Sequence, residues 1–301
     1  MSSSWLALVV GNTRLHWGWF DQSVLVATWH TCHLSNLAID RIDTDLYPQN
    51  TWLLINSLVS EPEISYLLQD VMPPIELWLA SVVPAQTHLW QQVVPSVHLV
   101  SRSHIPLNNI YPTLGLDRAI NLLGANQTLD WPILVIDSGT ALTLTAGVSS
   151  SPADAYDGSG CNGSGYSGPV HDGEIYGGAI LPGVRLQLNA LGQQTALGSL
   201  MLTALETPEP SLQRQLPKRW ASNSEGAIAS GIAYSLTSTC IDYISDWWQA
   251  FPGGAVVFTG GDGPLLYQYL QQRAPEIASR VLVDENLMFK GMQAYRRELT
   301  T

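Results

Sequence analysis

Short, continuously apolar runs separated by polar, glycine-bearing turns set the pattern of this chain. Residues 5–10 (WLALVV) are apolar throughout, stop at Gly11-Asn12-Thr13 and resume as LHWGWF at 15–20. That order predicts strand, tight turn, strand, with backbone N–H groups exposed in the turn. Apolar runs at 52–55 (WLLI) and 77–83 (LWLASVV), the second ending at Pro84, predict further strands with helix-like sequence between them. Strands alternating with helices give an α/β chain.

The pattern restarts near Tyr111-Pro112, with a predicted helix from Asp117 to Asn126, a strand ILVID at 133–137, the turn Ser138-Gly139-Thr140 and a strand ALTLTAG at 141–147. Laying LALVVGNT over PILVIDSGT superimposes Gly11 on Gly139 and Val9 on Asp137, so the two halves begin alike. Two related halves facing one another create a cleft, and we divide the chain into 1–112 and 113–301. Residues 148–171 are rich in Gly, Ser, Asp and Pro and read as a mobile surface loop. Helices are predicted over about 184–204 and 224–250, the second with Ser224 as N-cap, followed by a strand AVVFT ending in Gly260-Gly261-Asp262.

Composition narrows the functional classes. At 301 residues, 46% hydrophobic and 13% charged, the chain is a folded globular protein of two-domain size. Its 13 Lys plus Arg stand against 25 Asp plus Glu, so it has no basic stripe for a nucleic-acid backbone. A small anion such as ATP is still compatible, because backbone N–H groups, a few side chains and a metal ion can hold it. Cys32, Cys161 and Cys240 have neither disulfide nor zinc-site spacing, which fits free thiols in a reducing compartment. Trp5 to Val10 is too short for a signal core or membrane span, and we expect a cytoplasmic protein with no membrane partner.

Each candidate site has a functional and a structural reading. Gly11, Asn12, Thr13 and Arg14 could bind phosphate, the Gly by close backbone approach and the others by donating hydrogen bonds; a ligand-free hairpin is the alternative. Asp137 ends an apolar strand, where a carboxylate is costly to bury without a cation or donors; an Asp-led turn is the alternative. Gly115-Leu116-Asp117-Arg118 sits where loop becomes helix and would place a base beside an anion-orienting cation, or else Asp117 is simply a helix-capping or first-turn residue. Gly260 and Gly261 leave a bare surface for a nucleotide base or ribose, or form a plain turn. The chain lacks GxxxxGK[ST], a strand-linked GxGxxG, HExxH and GxSxG, which removes Walker, Rossmann, zincin and serine-hydrolase readings. Its seven histidines show no metal-ligand spacing, and its tryptophans read as packing residues.

Taken in order, GNTR at 11–14, SVVP at 81–84, LGLDR at 114–118, DSGTA at 137–141, GGAILPG at 177–183, QTAL at 194–197 and TGGD at 259–262 resemble the type III pantothenate kinases, also called the Bvg accessory factor family. The resemblance implies an actin-like ATPase (ASKHA) architecture of two ribonuclease-H-like domains around a cleft, and a homodimer. It implies ATP-dependent phosphorylation of pantothenate, the first step of coenzyme A biosynthesis, with Mg2+ and a monovalent cation (K+ or NH4+). Asp117 then matches the proton acceptor, Gly115, Leu116 and Arg118 the pantothenate turn, Asp137 the monovalent-cation ligand, Thr140 an ATP contact and Thr195 a substrate contact. Gly11 to Arg14 fall in the first phosphate loop, and Tyr111 is the nearest match to a Tyr that precedes the turn. One departure stands out: the family's first motif reads DxGNT, and here the Asp position is Val9. Two outcomes follow, an active kinase compensated at Val9 or a catalytically weak homologue that binds a nucleotide or metabolite and regulates.

Overall fold

The computed structural model describes residues 4–34, 76–150, 173–194 and 215–300. The expected strand at 52–55, most of the Gly/Ser-rich segment, Thr195 and the helix beyond 194 lie outside those residues. The chain forms two compact units, one of residues 1–105, 111–124 and 288–301, the other of 106–110 and 125–287.

In the first unit, β1 (Trp5–Val10), β2 (Leu15–Asp21), β3 (Val24–Thr31), β4 (Glu76–Ser81) and β5 (His98–Leu99) form one sheet in the order β3-β2-β1-β4-β5. β1 to β3 are antiparallel neighbours, and β4 and β5 run parallel to β1. β1 is central and buried at every position, hence its unbroken apolar run. Leu6, Leu8 and Val10 face a core shared with α1 (Pro84–Val93), where Trp90 meets Trp17 edge-on at 5.3 Å between ring centroids. Trp17 stacks on Trp29 at 5.8 Å. Truncating a buried Trp of this kind costs about 3–5 kcal/mol.

The opposite sheet face takes α2 (Leu116–Ala125) and the C-terminal helix (Leu287–Thr300). Gly18 admits the ring of Phe289, since a Cβ there would lie 2.6 Å from its Cδ1, and Gly291 lets the helix backbone meet that of Ile120. These contacts draw residues 111–124 and 288–301 into the first unit, so the units do not divide at 112 as the order of motifs suggests. Glycine at the crossing points allows an approach that apolar periodicity does not reveal.

The second unit repeats the design. Here β6 (Ile133–Ser138), β7 (Ala141–Ser149), β8 (Gly173–Pro182), β9 (Ala255–Thr259) and β10 (Leu282–Val283) form a sheet in the order β10-β9-β6-β7-β8. β6, β7 and β8 are antiparallel neighbours, with β9 and β10 parallel to β6. Each unit is therefore a ribonuclease-H-like sheet of the actin-like ATPase architecture, with β6 in the place of β1. The helices α3 (Val184–Gln194), α4 (Ser224–Ala250), α5 (Gly263–Arg273) and α6 (Pro275–Ala278) belong to this unit.

Helix α4 starts at the expected residue, but its cap is Asn223 rather than Ser224: the Asn223 side chain accepts from the Gly226 N–H at 2.7 Å, satisfying one of the helix's open donors. Among the described residues no helix is long and apolar enough to cross a membrane.

Candidate active-site elements

In the first unit the β1–β2 turn is held from two sides. The Gly11 N–H donates to the Arg14 carbonyl at 3.1 Å, and His33 Nε2 lies 2.8 Å from the Gly11 carbonyl oxygen. Asn12, Thr13 and Arg14 are exposed at the tip, where they can meet a ligand. A Cβ on Gly11 would come 3.3 Å from His16 Nε2 and 3.4 Å from the Arg14 oxygen.

A second element of this unit is the segment from Tyr111 to Arg118. The Leu114 N–H donates to the Tyr111 carbonyl at 3.0 Å, and Arg118, almost fully buried, donates to the Tyr111 hydroxyl at 2.9 Å. Tyr111, short in sequence spacing, is thus brought to the turn by Arg118. Asp117 lies in the first turn of α2, and its Oδ1 accepts from the Arg118 N–H at 2.9 Å, which satisfies one backbone donor at the helix start. That role does not exhaust the residue. Burial raises the Asp117 carboxyl above its usual value against the opposing pull of Arg118, which moves it toward the range of a useful proton acceptor. A Cβ on Gly115 would meet the Asp117 carboxylate and displace it from the Arg118 N–H.

Next to this turn lies a cavity of about 490 Å³, walled by Ser81, Thr87, His88, Arg102, Gly115 and Leu116 among others. Arg102 also donates to the Pro112 carbonyl, tying the segment before the turn in place. Thr87, His88 and Arg102 carry no motif of their own, and their sequence neighbour SVVP was the one available sign that this region faces a site.

In the second unit three strand ends converge. Gly139 N–H donates to Ala141 O at 3.0 Å, Gly183 N–H to Thr140 O at 3.1 Å and Asp262 N–H to Ser138 O at 2.8 Å. Gly260 has φ +82°, and a Cβ on it would collide with Asp137 Oδ1 and lie 2.6 Å from Ser138 O. Asp137, Gly139, Thr140 and Gly260 therefore share one small region. Gly261 has open space where a Cβ would project.

Strand register allows the two units to be compared position by position. Across β4, β1, β2 and β3 the row is Ala80, Val9, His16, His30; across β9, β6, β7 and β8 it is Thr259, Asp137, Thr143, Ile180. Directly paired residues project from the same face of a sheet. The second unit thus aligns a carboxylate with two hydroxyls, and the buried Thr259 hydroxyl has no hydrogen-bond partner among the described residues. Oxygen donors of this kind suit a hard cation. No group of three or more His, Cys, Asp or Glu converges as a metal site among the described residues, so a cation here would need further oxygens from backbone, water or nucleotide. The first unit's row has no oxygen donor and presents imidazoles instead.

Comparison with known proteins adds an independent line. The sequence profile of the family described as Type III pantothenate kinase matches residues 5–154 and 170–246. A protein of Nostoc sp. named Type III pantothenate kinase is 41% identical over 296 residues, covering 97% of this chain and 94% of the relative. One of Synechocystis sp. with the same name is 34% identical over 290 residues, covering 96% and 89%. Among solved structures, a conserved Baf family protein from Campylobacter jejuni matches with a TM-score of 0.55 at 14% identity, covering 98% of both chains.

Proposed function

The chain belongs to the type III pantothenate kinase family, and from this premise we propose that it transfers the γ-phosphoryl group of ATP to the primary hydroxyl of pantothenate, giving 4'-phosphopantothenate and ADP. The observation that carries the proposal is the half-buried Asp117, its carboxyl raised by desolvation, following directly on two residues of the wall of a 490 Å³ cavity. Asp117 accepts the hydroxyl proton as that oxygen attacks the γ-phosphorus in line. Arg118, Tyr111, Gly115 and Leu116 orient the acceptor, and Thr195 supplies a further contact to it. Such chemistry depends mainly on positioning and charge stabilisation.

For the nucleotide we assign Gly11 to Arg14, Thr140, Gly260 and Gly261. Asp137, with the hydroxyls of its row, is the ligand for K+ or NH4+. Magnesium bound with ATP supplies neutralisation of phosphate charge, which a chain with two lysines cannot provide by ammonium groups alone. A homodimer is part of the same reading, testable by sedimentation.

The test is a coupled ADP-release assay with purified protein, ATP, magnesium and pantothenate, with and without K+ or NH4+. Pantothenate-dependent ADP release, increased by the monovalent cation, is the expected result. Intact nucleotide binding without turnover under any cation would replace the kinase with a nucleotide-binding regulatory protein.

A further inference from the structure

The β1–β2 hairpin departs from its counterpart in the second unit at one row of side chains. Where β6 carries Asp137, β1 carries Val9, which is 4% exposed and can ligate nothing. Its register partner on β2 is His16, so the two side chains share a face of the sheet. The His16 ring reaches the turn: its Nε2 is 3.3 Å from where a Cβ of Gly11 would stand. On its other side it meets His30 edge-on, with ring centroids 4.7 Å apart. His16 makes no hydrogen bond among the described residues. A polar ring, largely withdrawn from water, thus lies against the backbone of a turn whose tip is open.

We propose that His16 is a phosphate-contacting residue, its Nε2–H donating to a terminal phosphate oxygen of the nucleotide, so that the first turn grips phosphate with an imidazole and without a carboxylate at position 9. This rests on the reading that nucleotide phosphates lie at Gly11–Arg14. The protonation state agrees with such a role. Burial first, then the His30 and Arg14 charges, lower the His16 pKa to about 4, so the ring is neutral near pH 7 and carries one N–H. A neutral donor satisfies a phosphate oxygen without the cost of burying a full charge. The groups whose charges act on the ring are His30 from β3 and Arg14 from the turn, and β1 contributes only Val9.

The experiment compares ADP with a non-hydrolysable ATP analogue, both with magnesium, by calorimetry on wild type, His16→Ala and His16→Gln. His16→Ala should weaken the ATP analogue by tenfold or more and ADP by clearly less, since the contact is to the terminal phosphate. His16→Gln, whose amide can donate from a similar position, should bind the analogue within about threefold of wild type. One readout on the wild type itself is independent of any variant's folding. The His16 ring 15N resonances should shift when the analogue binds and not when magnesium alone is added.

Equal losses for ADP and analogue in His16→Ala, unchanged affinities, or unmoved His16 resonances would each overturn the assignment. If wild type binds nucleotide and turns over while any of those results holds, only the role of His16 falls. If wild type binds neither nucleotide, the kinase reading falls with it.

Discussion

Replacing Asp117 with Asn separates catalysis from stability at a single half-buried position. The side chains are nearly isosteric, and the Asn carbonyl can still accept from the Arg118 N–H, as Oδ1 does at 2.9 Å. Arg118 keeps its bond to the Tyr111 hydroxyl. What disappears is the proton acceptor. General acid–base catalysis contributes roughly 10²–10⁴-fold, which corresponds to about 3–5 kcal/mol of barrier, and turnover should fall by that factor.

Stability should move the other way. The folded Asp117 carboxyl lies above its usual value because burial penalises its charged form, and that penalty outweighs the help from Arg118. A raised folded pKa contributes stability that is fully present below the unfolded value and is lost as pH rises through the folded one. Above the folded pKa, where the carboxylate is ionised and competent as a base, the wild type has lost it, and Asp117→Asn should melt at the same temperature or slightly higher. The stability difference should shrink or reverse as pH is lowered toward 4. Single-turnover kinetics, nucleotide titration and thermal melts at pH 4.5, 6 and 8 test the pair. Turnover within tenfold of wild type, or a variant several degrees less stable at pH 8, would refute the reasoning.

Three further perturbations probe the frame. Gly260→Ala adds a Cβ at φ +82° against Asp137 Oδ1 and 2.6 Å from Ser138 O; left-handed backbone alone costs roughly 1–2 kcal/mol, so both melting temperature and nucleotide affinity should drop. Gly291→Ala pushes the C-terminal helix away from the Ile120 carbonyl, with an expected loss of about 1–3 kcal/mol in denaturant unfolding of the whole protein. Asn223→Ala removes the acceptor of the Gly226 N–H and should cost about 1 kcal/mol, with no change in nucleotide affinity.

What could be read from the chain follows burial. β1, β6 and β9 are central or near-central strands, buried at nearly all positions, and their unbroken apolar runs stand out in sequence. The edge strands β3 and β8 did not, because β3 is largely exposed and β8 alternates half-buried and exposed positions from Tyr176 onward. The repeat of strand, turn, strand at Gly11 and Gly139 was equally visible, since a glycine-bearing turn follows each apolar run directly. The crowding that requires glycine at Gly260, against Ser138 O, was not.

Sequence alone thus determined the α/β class, the family likeness, the central strands and the short motifs, because each depends on local chemistry or on residues adjacent in the chain. Tertiary structure decided which distant residues share a site. It placed the last helix against α2 through Gly291, brought Arg102 and His88 to the cavity beside Gly115, and set His16 next to Val9 under the first turn. Those relations arise from strand register and helix packing between residues separated in the chain, which apolar periodicity along a single segment does not encode.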